Sequence, residues 1–293
     1  MPATPNAEYH IDPALITQLL LEQCPDLSHM TLHEYMEGWD NVIMRLGDHL
    51  AVRLPRRAAA AQLILNEQSW LPQLAEHLPL RVPCPCFVGQ PGHGYPWHWS
   101  VLPWMKGNPA DIEEVHASQA PVFTSFLRCL HTSAPANAPQ NLLRGVALQQ
   151  RAAAVEERMH RLMLQTTLIT AQIQQIWYSA LQADIDVEPS WLHGDLHPRN
   201  ILVQAGSITA IIDWGDITAG DCATDLAALW MLFDEAHIRE QALAAYGPIS
   251  AATLSRSKGW ALLFGVMLLE SGLIDNPRNA AIGANILRVL AQG

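Results

Sequence analysis

The stretch HGDLHPRNILV at 193–203, followed by IIDWGD at 211–216, determines how this chain is interpreted. Asp195 is followed five residues later by Asn200, and two short apolar runs separated by a turn then lead to Asp213. Short apolar runs around a glycine-containing turn predict a β-hairpin after the loop. Because the chain returns on itself within a hairpin, we expect Asp213 to lie beside Asn200.

These three side chains suit a magnesium-dependent transfer of a phosphoryl group. Magnesium usually binds one or two carboxylates, with water and substrate phosphates as its other ligands, so Asn200 and Asp213 are the predicted metal ligands. Asp195 is then left to orient, or accept the proton of, an attacking hydroxyl, which is the predicted catalytic role. Taken singly, each is an ordinary turn residue. Taken together, their spacing favours the catalytic interpretation.

At these residues the chain resembles the aminoglycoside phosphotransferase family, antibiotic kinases related to protein kinases. The family motif HGDxxxxN falls on 193–200 and its IDW or IDF motif on 212–214. The segment GDCATDLA at 220–227 matches the family's GDPxxDLA, with Cys222 in place of the proline. The resemblance implies that Asp225 holds the catalytic loop, and His193 is a second residue of structural support.

The resemblance also implies an α+β, two-lobed protein-kinase-like fold. The small lobe has an antiparallel sheet plus a helix, and the large lobe is mainly helical. We place the N-terminal nucleotide-binding lobe at 1–103 and the C-terminal catalytic and acceptor-binding lobe at 104–293. In the large lobe we predict helices over 111–132, 142–162, 168–183, 222–235, 236–246 and 250–270.

The small lobe is predicted to begin with a helix to about Gln23, followed by strands over 30–37, 41–46 and 50–54. The turn EGWDN at 37–41 occupies the place of a phosphate-covering loop, although an ordinary hairpin turn gives the same pattern.

Arg53 stands on the third strand, where related kinases carry a phosphate-binding lysine, and the chain's lysines are Lys106 and Lys258 alone. An arginine is chemically suited to phosphate because its planar fork binds two oxygens at once. Arg56 and Arg57 are competitors for the role. The resemblance implies that Glu67, on a helix predicted over 58–77, pairs with this cation; an exposed helix glutamate is the alternative.

The segment WHWSVLPWMKG at 97–107 resembles the last small-lobe strand and the hinge that binds the purine. Together with Arg53 and Glu67, the predicted nucleotide-binding residues there are Ser100, Val101, Leu102 and Trp104. The donor is ATP or GTP, and the sequence does not choose between them. By placement in the family's acceptor-binding helices, the candidate acceptor residues are Trp230, Asp234, Glu235, Trp260 and Glu270. Both tryptophans have a core role as their alternative, and a solvated helix end is the alternative for Asp234 and Glu235.

Composition excludes several classes of protein. A net charge of −11 argues against a nucleic-acid binder, whose footprint is basic. Most of this negative charge lies in 184–293, where it either attracts a cationic acceptor or forms a solvated acidic surface. With no uninterrupted run of about eighteen apolar residues and no signal-peptide pattern in the first ten residues, we expect a cytoplasmic protein without a membrane span. No obligate protein partner is evident.

The cysteines predict no disulfide framework, because the five are scattered. Cys84 and Cys86 form the one close pair, and two small strand residues beside prolines explain it better than a metal clip. His193 and His197 are four apart, but Gly194 and Pro198 argue against the helix that a zinc pair would need.

The sequence therefore predicts Mg²⁺-dependent transfer of a nucleotide γ-phosphate to a hydroxyl of a small molecule. The expected acceptor is an antibiotic, an aminoglycoside first and a macrolide second. One alternative is a metabolic kinase that acts on a sugar, a choline-like alcohol or an amino alcohol. Another is a pseudokinase that binds nucleotide without transferring phosphate.

Overall fold

A computed structural model describes residues 5–293 of the chain. The first four residues, which belong to the stretch used to argue against a signal peptide, lie outside this range. The chain divides into two compact units. Within the described residues, the first unit comprises 5–77 and Arg81–Lys106. The second unit comprises Leu78–Leu80 and Gly107–Gly293. The division falls three residues beyond the expected one, since the amide of Trp104 donates to His49 at 2.7 Å and extends the first unit past its last strand.

The first unit is a five-stranded antiparallel sheet with two helices. In chain order its elements are α1 (Pro13–Gln23), β1 (Leu32–Glu37), β2 (Asn41–Leu46), β3 (Leu50–Pro55), α2 (Ala58–Ala75), β4 (Phe87–Gly89) and β5 (Trp99–Pro103). The strand order is β1-β2-β3-β5-β4. Asp12 begins α1 by accepting from the amide of Leu15. The apolar side of α1 packs on the sheet, where Ile16 and Leu19 join a buried cluster with Val52 and Trp99.

The second unit contains the predicted hairpin, one short strand beside it and one separate strand pair. Its strands are β6 (Asn108–Pro109), β7 (Ser190–Leu192), β8 (Ile201–Gln204), β9 (Ser207–Ile211) and β10 (Thr218–Gly220). The strands β8 and β9 are antiparallel neighbours joined at Ala205 and Gly206, both with positive φ. Such a two-residue turn matches the natural twist of a hairpin. β6 extends this hairpin, and β7 pairs with β10.

Eight helices complete the second unit within the described range. They are α3 (Ala120–Leu130), α4 (Ala152–Met163), α5 (Ala171–Leu181), α6 (Ala223–Leu226), α7 (Leu229–Leu232), α8 (Ala236–Tyr246), α9 (Ala251–Asp275) and α10 (Pro277–Gln292). The antiparallel sheet of one unit and the helices of the other are the architecture expected from the sequence.

Three helix predictions need correction, and one helix was missed. The first two large-lobe helices begin about ten residues later than predicted, the helix predicted over 222–235 is broken into α6 and α7, and α10 was not predicted. The helix predicted over 142–162 fails at its start because Asn141 and Gly145 favour a turn. The side-chain oxygen of Asn141 accepts from the amides of Leu143 and Arg144, and Gly145 has φ +69°.

The helix α9 is long and apolar enough to cross a membrane by length and composition, contrary to the expectation of no such segment. However, 61% of its most apolar window is buried within the protein. It packs against α10 so closely that a side chain at Gly283 would collide with the backbone of Leu269, 2.3 Å away. Core helices of this kind pass the same test, so the apolar composition of α9 is weak evidence for a span.

Candidate active site

The carboxylate of Asp225 holds the start of the loop that follows β7. This buried carboxylate on α6 accepts from the amides of His193 (2.7 Å) and Gly194 (2.9 Å). Gly194 has φ +84°, and a Cβ there would lie 2.7 Å from the carbonyl oxygen of Asp216, so a glycine is required. The structure thus contains the support that the resemblance implied for Asp225.

His193 fixes the same loop through its imidazole. Its Nε2 lies 3.0 Å from the Ile212 carbonyl, to which it donates, and its Nδ1 accepts from the amide of Asp195 at 3.2 Å. These partners define a neutral tautomer. Burial lowers the pKa of His193, consistent with that state. His193 therefore ties the loop that carries Asp195 to the end of the hairpin.

Asp195 projects from this loop into a set of hydrogen-bond donors. Its Oδ1 accepts from Nη2 of Arg144 at 2.8 Å, and its Oδ2 lies 3.2 Å from Nδ2 of Asn200 and 3.3 Å from Nε2 of His197. Burial alone would raise the pKa of Asp195, but His197 and Arg144 outweigh it and hold the pKa below its ordinary value. The carboxylate is therefore ionised at neutral pH.

The hairpin brings Asn200 and the residue before Asp213 together, as expected. The amide of Ile212 donates to the carbonyl of Asn200 at 2.9 Å, and Asp213 follows with φ 64°. The side-chain nitrogen of Asn200 donates to the backbone oxygen of Asp195 at 2.9 Å. Its side-chain oxygen is therefore directed away from Asp195.

These residues fit a magnesium ion by the chemistry of their donors. Asn200 and Asp213 offer one amide and one carboxylate group, the hard oxygen ligands that magnesium prefers. Within residues 5–293 no cluster of three His, Cys, Asp or Glu side chains suits a metal. A protein contribution of two groups is usual where nucleotide phosphates and water complete the coordination.

A loop at 141–147 supplies contacts that sequence reasoning missed. Arg144 bonds Asp195 as described, and Nδ2 of Asn141 donates to Asp216 at 2.7 Å. The sequence Asn-Leu-Leu-Arg-Gly carried a turn signal in its asparagine and glycine, but the predicted helix over 142–162 covered it. His197 was considered only as a zinc ligand.

Asp216 differs from Asp195 although both face Arg144. Burial raises the pKa of Asp216 to about 6; Arg144 opposes this rise, and the charge of Asp195 adds to it. The distances explain the difference, because Arg144 lies 2.8 Å from Asp195 but 3.9 Å from Asp216. One cation thus contacts two carboxylates, and the nearer one ionises at the lower pH.

In the first unit, Arg53 on β3 forms an ion pair with Glu67 on α2, with Nη1 2.5 Å from Oε2. The two side chains are 4% and 0% exposed. When the side-chain amide of Asn41 is oriented so that its oxygen faces Arg53, that oxygen accepts from Nη2 and Nε of Arg53 at 2.9 and 3.1 Å. The predicted pairing of Glu67 with the cation of this strand is present.

The competitors Arg56 and Arg57 have other partners. Nη1 of Arg56 donates to the carbonyl of Gly38 at 2.9 Å, and Arg57 donates to Asp40. Both arginines therefore hold the turn between β1 and β2. This difference in partners separates them from Arg53, which alone of the three pairs with the helix glutamate.

The predicted purine-binding backbone needs correction. β5 lies between β3 and β4, and Ser100 and Val101 have partners in both neighbouring strands. Leu102 pairs with Ala51 of β3, and Trp104 donates to His49 of the loop before it. The sheet therefore uses backbone groups of all four residues.

In an antiparallel strand successive residues direct their backbone groups to alternate sides, and the carbonyl of Val101 accepts from Cys86 on the β4 side. The carbonyl of Pro103, two residues later at the end of β5, therefore faces the same side, beyond the end of β4.

The candidate acceptor residues fall into three environments. Trp230 and Trp260 are 2% and 0% exposed, which leaves no surface for an acceptor, so the core alternative describes them. Glu270 is paired with Arg158 and Arg161 of α4. Asp234 and Glu235 line a cavity of about 300 Å³, together with Asp111, Glu114 and apolar side chains.

Known proteins resemble this chain mainly in fold. Curated proteins gave no significant sequence match. Solved structures are similar in fold at low identity. An aminoglycoside 2'-phosphotransferase of type IIIa with GDP bound has a TM-score of 0.70 at 18% identity, over 96% of this chain and 99% of that one.

A macrolide 2'-phosphotransferase, MphH from Brachybacterium faecium, has a TM-score of 0.59 at 19% identity, over 93% of this chain and 97% of its own. The aminoglycoside phosphotransferase APH(2'')-Ib with ADP bound has a TM-score of 0.59 at 15% identity, over 95% and 98%. These likenesses show the two-lobed, protein-kinase-like fold. The model of the phosphotransferase enzyme family APH matches residues 31–260, most of the chain, and the chain therefore belongs to this family of phosphotransferases.

Proposed function

We propose that the protein transfers the γ-phosphate of ATP or GTP to a hydroxyl group of a small molecule, with Mg²⁺ bound by Asn200 and Asp213. The observation that carries this proposal is the arrangement at the end of the hairpin. Asp195 is ionised and hydrogen-bonded to Asn200, whose carbonyl is joined to the residue before Asp213. An orienting carboxylate and two oxygen donors are what a kinase needs from its catalytic loop.

Asp195 is the proposed catalytic residue. Its low pKa makes it a weak base, so it orients the acceptor hydroxyl by accepting its hydrogen bond and receives the proton late in the reaction. This order suits phosphoryl transfer, whose loose transition state needs positioning more than early proton removal. When bound, magnesium neutralises charge on the transferred phosphoryl group. His193 and Asp225 hold the loop that carries Asp195.

The first unit is the proposed nucleotide-binding lobe. Arg53, held by Glu67, is the proposed partner of the donor phosphates, since guanidinium remains charged at all relevant pH values. The carbonyl of Pro103 and the amide of Met105 replace the predicted strand groups as the proposed contacts to the purine edge. Relatives with bound GDP and with bound ADP support a purine nucleotide and leave both donors in the proposal.

The proposed acceptor is an antibiotic, an aminoglycoside before a macrolide. The similar structures include enzymes for both classes, and the aminoglycoside enzyme of type IIIa has the higher TM-score. The cavity with Asp234 and Glu235 carries four carboxylates. Asp111 is paired with Arg278, and the negative charge of the other three favours a cationic acceptor. Both residues therefore remain proposed acceptor contacts. Antibiotic resistance and a cytoplasmic location are part of the same proposal.

The test measures Mg²⁺-dependent release of ADP and GDP against a panel of aminoglycosides, macrolides, simple sugars and amino alcohols. We expect turnover with one class of acceptor, and a loss of about 10³-fold in Asp195→Asn. Asp48→Asn is the matched control, since its side chain is 82% exposed in the turn between β2 and β3. Acceptor-independent nucleotide binding without turnover for the whole panel would contradict the proposal. Turnover only with a sugar or amino alcohol would replace the antibiotic with a metabolic acceptor.

A further inference from the structure

The loop at 141–147 places a cation directly on the proposed catalytic carboxylate. Nη2 of Arg144 donates to Oδ1 of Asp195 at 2.8 Å, and the two side chains are 11% and 19% exposed. A charge-assisted hydrogen bond of this length in a site with little exposure is among the stronger polar contacts in proteins. It holds Oδ1 of Asp195 on the side of Arg144, while Asn200 and His197 approach Oδ2.

Several contacts fix the loop at 141–147 so that the guanidinium of Arg144 lies beside Asp195. The side-chain oxygen of Asn141 accepts from the amides of Leu143 and Arg144, forming a tight turn. The carbonyl of Gly145 accepts from the amide of Asp221 at 2.9 Å. The guanidinium lies over the ring of Phe264 on α9, 4.8 Å from its centroid. The arginine is thus fixed at its backbone and at its charged end.

A count of lone pairs shows what this contact leaves for a substrate. A carboxylate has about four positions for accepting hydrogen bonds. Asn200 and His197 approach Oδ2 of Asp195, and Arg144 approaches Oδ1. Among the described residues, these three donors leave one position, on the oxygen that Arg144 also contacts.

We propose that Arg144 is a positioning residue for the phosphotransfer reaction: it orients Asp195 so that the second lone pair of Oδ1 receives the acceptor hydroxyl. The inference rests on the proposed function of Asp195. It predicts that the hydroxyl binds beside the guanidinium, where the positive charge stabilises the oxygen as its proton leaves.

The experiment compares Arg144→Ala and Arg144→Lys with wild type, and uses Arg128→Ala as the matched control, an exposed arginine on α3. Steady-state kinetics give kcat and KM for nucleotide and acceptor, thermal unfolding gives the folded fraction, and crystal structures give the orientation of Asp195. We expect kcat of Arg144→Ala to fall about 100-fold, since small misplacements of a reacting group have effects of this size. KM values should change little, because the interaction acts on the reaction and not on binding.

Arg144→Lys should recover part of kcat, since it restores the charge without the planar fork. In crystals of Arg144→Ala, the Asp195 carboxylate should rotate from its wild-type orientation. A kcat within about twofold of wild type would overturn the inference, since that is the size of effect expected for a residue that does not act on the reaction. So would a lower melting temperature with Asp195 unmoved, since Arg144 would then serve only folding. If wild type turns over no acceptor, the proposed function fails, and the orientation of Asp195 in the two crystal structures still decides the role of Arg144.

Discussion

Two arrangements of arginine and carboxylate differ between the units. In the first unit, Arg53 and Glu67 form an ion pair, 4% and 0% exposed. In the second, Arg144 lies between Asp195 and Asp216, with exposures of 11%, 19% and 27%. The enclosed pair joins one cation directly to one carboxylate. The more open group places one cation between two carboxylates and leaves a lone pair on Asp195, so it suits contact with an acceptor hydroxyl.

Breaking the enclosed pair should have the largest effect on stability. Arg53→Met or Glu67→Leu removes one side of a buried ion pair, and the free energy of unfolding should fall by about 3–5 kcal/mol. The double variant Arg53→Met with Glu67→Leu should regain most of this, because it removes both charges and keeps the volume. Urea unfolding of the four proteins measures these changes. Additive losses in the double variant would show that the pair is not energetically coupled.

The carboxylate of Asp225, which holds the loop carrying Asp195, can be neutralised with little change in side-chain volume. Asp225→Asn weakens two charge-assisted bonds to the amides of His193 and Gly194, so we expect a loss of about 3 kcal/mol. Asp184→Asn, an exposed site in the same unit, is the control. Chemical denaturation gives the stability, and kcat should fall together with it. An unchanged stability would mean that the loop is held by other contacts.

The open group should also respond to pH through Asp216. Its pKa is raised to about 6 in the folded protein, so the folded state retains its proton more strongly than the unfolded chain. Its contribution to stability is present below about pH 4 and is lost as pH rises through about 6. We expect this loss to be about 2 kcal/mol, less than the full shift implies because the side chain is partly exposed.

Unfolding free energies measured from about pH 4 to about pH 7 for wild type and Asp216→Asn test this expectation. The asparagine variant cannot titrate, so its stability should decrease less over this range. Parallel curves for the two proteins would show that Asp216 has an ordinary pKa in the folded state.

The smallest effect is expected from an exposed ion pair in the first unit. Arg45 and Glu34 are joined at 2.8 Å between β2 and β1, with exposures of 23% and 52%. Glu34→Gln should change the unfolding free energy by about 0.5 kcal/mol, and salt should reduce the difference. Thermal unfolding at low and high ionic strength measures it. An effect as large as that at Glu67 would show that burial does not explain the difference between the enclosed pair and this exposed pair.

Much of the fold followed from local patterns. Local patterns predicted β1–β3 of the first sheet, the helices α1 and α2, and the hairpin β8–β9. These patterns are alternation, capping and turn residues, which act over a few positions. The helix predicted over 142–162 failed where apolar residues continued a helical pattern through a turn. Leu142, counted within that pattern, is 84% exposed. Periodicity does not report whether an apolar face has a partner.

The sequence by itself determined the chemistry of the candidate site: Asp195, Asn200 and Asp213 lie within one loop and hairpin, and Arg53 with Glu67 on adjacent elements. The tertiary structure alone decided that Arg144, 51 residues before Asp195 in the chain, reaches that carboxylate. It also decided that Trp230 and Trp260 are buried, and that Ser100 and Val101 lie between two strands. Short-range geometry is encoded in residue spacing, whereas burial and contacts between distant loops depend on how all the elements pack together.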